Sequence, residues 1–532
     1  MNRTTVFSIV VAALSSIATS AFAQTAQPPT ASPTGAASRD NGAFARARAA
    51  FKSNDLPTAR TEMEKAIGAL PDDVDANSWM GFLLVKSADY ARAIPFLEKA
   101  LSKKPDSLET MTNLGNALLL KADRSPGDTE RAILLFEKVA DKRGSSAEAQ
   151  FNLGYAAARR ADFPRAAVAY RRAADLKEDG QTFINLGIVL QKLGRLDEAA
   201  TTLRKGISLN TGDQAAHAAL GSIEVQRQNF VGAVSVLETA RKLDSTSYGV
   251  LTNLAFAYSK TGRAADAAQT YGEAADLAAK GAEGVPAGDV TARYNQGVML
   301  SQQGNHDGAL VAYEKVLAIS PRYLDALLNT GYVLFQKGNY ADAAARFKVA
   351  TEVDANSVVA WTNLGSALSR QKDEPGAITA WQKAAGLDPT DYDVRSYLAS
   401  ALLSQDRTDE AMKVFGEMVQ LKPDAAGPNN AMGVAYMKAN KLEEAFKSFE
   451  AAIKAEPDSA QAHNNLGVVY ERRGQLNEAI AEYKKAVQLS PTLADAKANL
   501  ARFGSMADAI KPAASPKKPA KATAKPTKGT RK

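Results

Sequence analysis

The chain contains no cysteine, which excludes a disulfide framework, a thiolate metal site and a cysteine nucleophile. Its three histidines, His217, His306 and His463, are too widely separated in sequence to suggest an imidazole cluster. A GxSxG elbow, an HExxH helix, a phosphate-binding P-loop and a GxGxxG turn are all missing. No cofactor, no metal and no catalytic activity are therefore expected. Glycine (36) and proline (21) stand near ordinary usage in 532 residues, so wholesale low complexity is excluded. A long apolar run is also lacking. The stretch Val6–Ile17 falls short of the ~20 residues that span a bilayer.

That short stretch follows Arg3 and ends in Ala21-Phe22-Ala23, the pattern of a secretory signal peptide over 1–23. Cleavage after Ala23 would leave Gln24 as the first residue and no transmembrane segment. Export is expected, to the periplasm or as a secreted or envelope-associated protein. Residues 24–39, rich in Pro, Ser, Thr, Gln and Ala, read as a flexible linker. At the other end, 511–532 holds eight Lys and Arg and no acid. Removing those eight from the 65 basic residues leaves the rest level with its 58 acidic ones. The net charge of +7 thus belongs to the tail, which lacks large apolar residues and is expected to stay disordered. Behind a signal peptide its partners would be anionic envelope polymers or lipid head groups; nucleic acid is not expected.

Between the ends one unit recurs. A small residue stands at Ala47, Gly81, Gly115, Gly154, Gly187, Gly221, Ala255, Gly297, Gly331, Gly365, Ala399, Gly433 and Gly467, mostly 34 residues apart. An insertion near Asp123–Asp128, a deletion near Lys177–Gly180 and an insertion in Ala279–Gly288 account for the exceptions. With that residue at position 8, alanine recurs at position 20 (Ala93, Ala343, Ala479) and at position 27 (Ala100, Ala350, Ala486). A large apolar side chain, often aromatic, recurs at position 24 (Tyr170, Phe347, Trp381, Tyr483), and proline at position 32 (Pro71, Pro321, Pro491). Positions 7, 8 and 11, and positions 20, 24 and 27, each mark one face of a helix. Each unit is then an antiparallel helix pair, with the aromatic expected to fill the gap between units. A lone unit of this size cannot bury a sufficient core, so its neighbours must cover it.

In this pattern the chain resembles the tetratricopeptide repeat (TPR) family of exported bacterial type, in thirteen repeats over 40–493. A capping helix is expected over 494–510. The resemblance implies an all-α fold, a right-handed α-α superhelix of stacked antiparallel helix pairs, with a concave groove lined by the first helices. Position 6 carries Asn113, Asn152, Asn185, Asn253, Asn295, Asn329, Asn363 and Asn465. Position 13 carries Lys86, Arg159, Lys192, Lys260, Arg370, Lys438 and Arg472. The two positions share a stripe two turns apart. An amide both donates and accepts, which suits a peptide backbone, and a cation favours carboxylates. The ladder resembles the asparagine row of the O-linked N-acetylglucosamine transferase repeats and the clamps of chaperone adaptors. Asn and Lys are also the common consensus residues here, so a merely solvated face would look the same. Ala219, Tyr397 and Ala431 interrupt the row. The expected function is an exported scaffold holding extended peptide segments of envelope or secreted partners. The alternative is an accessory of envelope polysaccharide synthesis or export, binding glycan or a synthase.

Overall fold

A computed structural model describes residues 26–30, 42–282, 285–423 and 425–504. Among these there are helices and turns but no strand. The signal peptide, most of the linker, residues 505–510 of the cap and the basic tail lie outside the described residues. Contacts divide the chain into two units, meeting at Asn305 and His306.

The first unit begins with the pairs α1 (Ala43–Lys52) and α2 (Leu56–Ala69), α3 (Val74–Lys86) and α4 (Tyr90–Lys103). Next come α5 (Leu108–Leu120) and α6 (Pro126–Lys142), then α7 (Ala147–Arg159) and α8 (Phe163–Leu176). It continues through α9 (Gly180–Lys192), α10 (Leu196–Leu209), α11 (Gln214–Gln226), α12 (Phe230–Leu243), α13 (Tyr248–Lys260), α14 (Ala264–Ala279) and α15 (Thr291–Gln302). The second unit opens with α16 (His306–Ile319). Five pairs follow: α17 (Leu324–Gln336) with α18 (Tyr340–Val353), α19 (Val358–Arg370) with α20 (Glu374–Leu387), and α21 (Tyr392–Ser404) with α22 (Thr408–Leu421). The last two are α23 (Ala426–Lys438) with α24 (Leu442–Ala455), and α25 (Ala460–Arg472) with α26 (Leu476–Leu489), before a final α27 (Ala494–Ala501).

Local chemistry explains many of the boundaries. Several first helices start where an Asp or Ser side chain accepts a backbone N–H of the opening turn, as Asp73, Ser146, Asp213 and Ser357 do. They end in a left-handed residue, glycine at Gly194, Gly338 and Gly474, but also Ala88, Ala161 and Gln228. Second helices stop one residue short of the position-32 prolines, at Ala69, Ile319 and Leu489, for instance. The insertion after Lys121 lengthens α6 to 17 residues, and a capping box between Ser125 and Asp128 starts it.

Packing follows the 34-residue frame. The position-20 alanines Ala93, Ala166, Ala199, Ala343 and Ala479 have no exposed surface at all. Position 24 packs on position 8 of its own pair, where a Cβ on Gly115 would stand 2.5 Å from Phe136 Cζ and one on Gly467 2.6 Å from Tyr483 Cε1. It also reaches the next unit, as Trp381 does against Tyr397 and Tyr170 does in accepting from Asn185. The ring needs a flat, side-chain-free patch of helix, and glycine supplies it. Burial then continues from pair to pair, one cluster of apolar side chains reaching from Phe44 to Ile223. No pair closes its own core, so stability spreads through nearest neighbours. The final helix runs to Ala501, after which Phe503 stacks on Tyr483.

Candidate functional site

On the first helices, positions 6 and 13 share a stripe. In the first unit, α3, α5 and α7 contribute residues to one site, and residues 26–30 occupy it. Within the segment Ala26-Gln27-Pro28-Pro29-Thr30, Ala26 is 5% exposed and Pro29 is buried, while Pro28 and Thr30 face outward. This segment lies inside the stretch expected to be flexible linker.

Asn113 on α5 holds it. The Gln27 backbone N–H donates to Asn113 Oδ1 at 3.2 Å, and Asn113 Nδ2 donates to the Gln27 carbonyl oxygen at 3.0 Å. One side-chain amide thus satisfies both backbone groups of one residue, as a neighbouring strand would. Asn113 has no exposed surface, so each group would otherwise be a buried orphan.

The Gln27 side chain is gripped as well. Arg143, at the C-terminus of α6, donates through Nη1 to Gln27 Oε1 at 2.8 Å. Gln27 Nε2 donates to Glu148 Oε2 on α7 at 2.5 Å. Arg143 is held in turn by Glu109 on α5, Nη2 to Oε1 at 2.5 Å. Burial pushes the Glu148 carboxyl above its usual range, while the Gln27 hydrogen bond and the charges of Arg143 and Lys86 pull it down. Burial lowers Lys86, at position 13 of α3, and the Glu148 charge opposes that shift. Lys86 and Glu148 are thereby electrostatically coupled.

The other expected residues are distributed differently. Asn152, the next asparagine of the row, is 1% exposed and its Oδ1 has no hydrogen-bond partner. Asn185 is engaged internally, donating to the Tyr170 hydroxyl and accepting from Gln181. Asn253, Asn295, Asn329, Asn363 and Asn465 are partly exposed, and Asn465 donates to Asn430 of the preceding pair at 3.0 Å. Among the cations, Arg159 lies over the Tyr155 ring and Lys260 over Phe256. Burial lowers Lys192, whereas Arg370, Lys438 and Arg472 are exposed. Arg472 reaches the Met437 carbonyl at 3.4 Å.

Sequence reasoning missed Gln27, Arg143, Glu109 and Glu148. Glu109 and Glu148 share position 2 of successive units, a repeat signal that a search of position 2 would have found. Arg143 lies in the turn between pairs, off the stripe that was searched. His463, Trp381 and Trp361 are engaged within the repeats. His463 Nδ1 meets Glu482 at 2.5 Å and its Nε2 meets the Pro457 carbonyl at 3.0 Å. Trp381 donates to the Thr362 carbonyl, and Trp361 to that of Ala355. Among the described residues no cluster of His, Cys, Asp or Glu could hold a metal, and no helix is long and apolar enough to cross a membrane.

The tetratricopeptide repeat model matches residues 44–108, 119–180 and 184–248. The model of the C-terminal domain of cilia and flagella-associated protein 70, itself built of such repeats, matches 272–503. The chain belongs to the tetratricopeptide repeat family. No curated protein matches it. Among solved structures it is similar to YrrB, described as a TPR protein with an unusual peptide-binding site, at 20% identity and a TM-score of 0.32. That match covers 35% of this chain and 96% of YrrB. MamA of Desulfovibrio magneticus RS-1 is similar at 20% identity and TM-score 0.30, covering 32% of this chain and 97% of that one. The APC/C hetero-tetramer Cut9–Hcn1 matches at 15% identity and TM-score 0.32, covering 87% and 96%.

Proposed function

We propose that this protein is a non-catalytic scaffold that binds extended segments of partner proteins along the faces of its first helices. One observation carries the reading: Asn113 clamps both backbone groups of Gln27. Such a clamp ignores side-chain identity and demands an extended backbone with a free N–H, which is what an unfolded protein segment offers. The buried, unpartnered Oδ1 of Asn152 one repeat on marks a further acceptor on the same row. Peptide is a better fit than glycan. Sugar faces stack on exposed rings, and the position-24 rings Tyr170, Tyr313, Phe347 and Tyr483 are covered by packing, which leaves Tyr332 and Tyr397 as the half-exposed rings among the described residues.

The scaffold works outside the cytoplasm, on envelope or secreted partners; this part of the proposal rests on the signal-peptide pattern of residues 1–23 alone. Two measurements test the whole. Capture of partners from envelope extracts should fall sharply when Asn113→Ala is combined with Asn329→Ala, Asn363→Ala and Lys260→Ala. Undiminished capture would remove the peptide-groove reading. Sequencing the exported protein should find Gln24 first, and an intact Met1 would remove the export reading.

A further inference from the structure

Resting on that reading of Asn113, we infer that the site over α5 selects a glutamine side chain, and that the chain's own Ala26–Thr30 segment is its resident ligand, which an outside partner must displace.

The selectivity follows from the two groups that meet Gln27. An arginine can only donate and an ionised glutamate can only accept. Arg143 and Glu148 therefore define a slot with a donor at one end and an acceptor at the other. A side-chain amide, with one carbonyl oxygen and one NH2, satisfies both ends at once. Glutamate in the same place would turn a carboxylate oxygen toward Glu148, and lysine would turn its ammonium toward Arg143. Asparagine is a methylene too short once the backbone is fixed by Asn113. Glu109 holds Arg143 from behind, so the donor end of the slot is already oriented.

The flanking residues fix the register. Pro28 and Pro29 have no N–H, so neither can take the place of Gln27 on the asparagine clamp. Their restricted φ also lowers the entropy lost when the segment is held extended. Ala26 and Pro29 are the residues that go under cover, and both are small enough to leave the clamp in contact. The favoured ligand class is thus a protein segment of the form small residue, Gln, Pro, Pro in extended conformation. Tethered to its own chain, such a segment competes at an effective concentration on the order of millimolar. An outside ligand must therefore be tighter, or present several matching segments.

Fluorescence anisotropy on the full mature chain tests this, with a labelled peptide of residues 24–30 as the probe. The Gln27→Glu chain, its own segment weakened, should bind the probe at least about tenfold more tightly than the unaltered chain. On that Gln27→Glu chain, a probe carrying the same change should bind at least about tenfold more weakly than the original. Adding Glu148→Gln should erase the preference, because the repelling charge is gone. Equal binding of the two probes, or no gain in the Gln27→Glu chain, overturns the inference. If Asn113→Ala still abolishes binding in that case, the peptide-scaffold reading survives alone. If the probe binds no variant, or binds Asn113→Ala undiminished, both readings fall. Circular dichroism of each variant shows whether the helices are intact, since residues 26–30 are outside them.

Discussion

Replacing Asn113 by Asp changes one atom pair and inverts half of the clamp. The Oδ1 acceptor for the Gln27 N–H is retained. The second oxygen now faces the Gln27 carbonyl, where Nδ2 had donated at 3.0 Å. The loss has two parts. The missing hydrogen bond is worth about 0.5–1.5 kcal/mol, and the carbonyl left unsatisfied adds about 1–3 kcal/mol. Together they amount to about 1.5–4.5 kcal/mol, or roughly a 10- to 2,000-fold shift toward the released segment. Once the segment leaves, the carboxylate can hydrate, so the helices themselves should stay folded. Amide hydrogen exchange reads the outcome directly. In residues 26–30 only Ala26, Gln27 and Thr30 have an N–H, and only that of Gln27 donates to Asn113. Its protection should drop by that factor, or to the limit of a free chain, while amides of α5 keep theirs. Unchanged protection of Gln27 in the Asn113→Asp protein would refute the clamp.

Further tests address the repeat frame. Ala479 has no exposed surface between the helices of its pair, so Ala479→Leu should overpack the contact and cost about 1–3 kcal/mol in urea unfolding. Unfolding at the same urea concentration would count against the register of positions 8 and 20. Ala161 ends α7 at a φ of 64°, a conformation that costs an L side chain, so Ala161→Gly should raise stability by about 0.5–1 kcal/mol. The reverse change at Gly338, where φ is 79°, should lower it by a similar amount in the same titration. Asp128 is held at about 2 by the Ser125 hydrogen bonds, with Lys121 adding to them. A carboxyl depressed on folding stabilises the fold above its unfolded value near 4 and loses that contribution as pH falls toward 2. Asp128→Ala should cost about 1 kcal/mol at pH 7 and only a fraction of that near pH 2. A gap that does not close on acidification would argue against the capping box.

The architecture was readable because its determinants are periodic and local. A residue such as Ala343 or Gly365 has one role wherever the period places it, and thirteen copies average out single departures. The period says that Phe136 and Gly115 recur, but only distance shows that they meet within one pair. The site behaves oppositely. Asn113 was visible as one asparagine in a row of eight, and nothing periodic distinguishes it from Asn185, which spends its amide on Tyr170. What singles Asn113 out lies 86 residues away in a stretch without any period, at Gln27. A composition rich in Pro, Ser and Thr reads as linker because it cannot build a core of its own, yet such a segment can still be ordered by a surface that supplies the missing partners. Arg143 provides one of those partners from an inter-pair turn, off the common pattern, while Glu148 provides the other from position 2, where Glu109 also stands. In a repeat protein, then, the period encodes the scaffold, and specificity resides where a residue outside the period meets one within it.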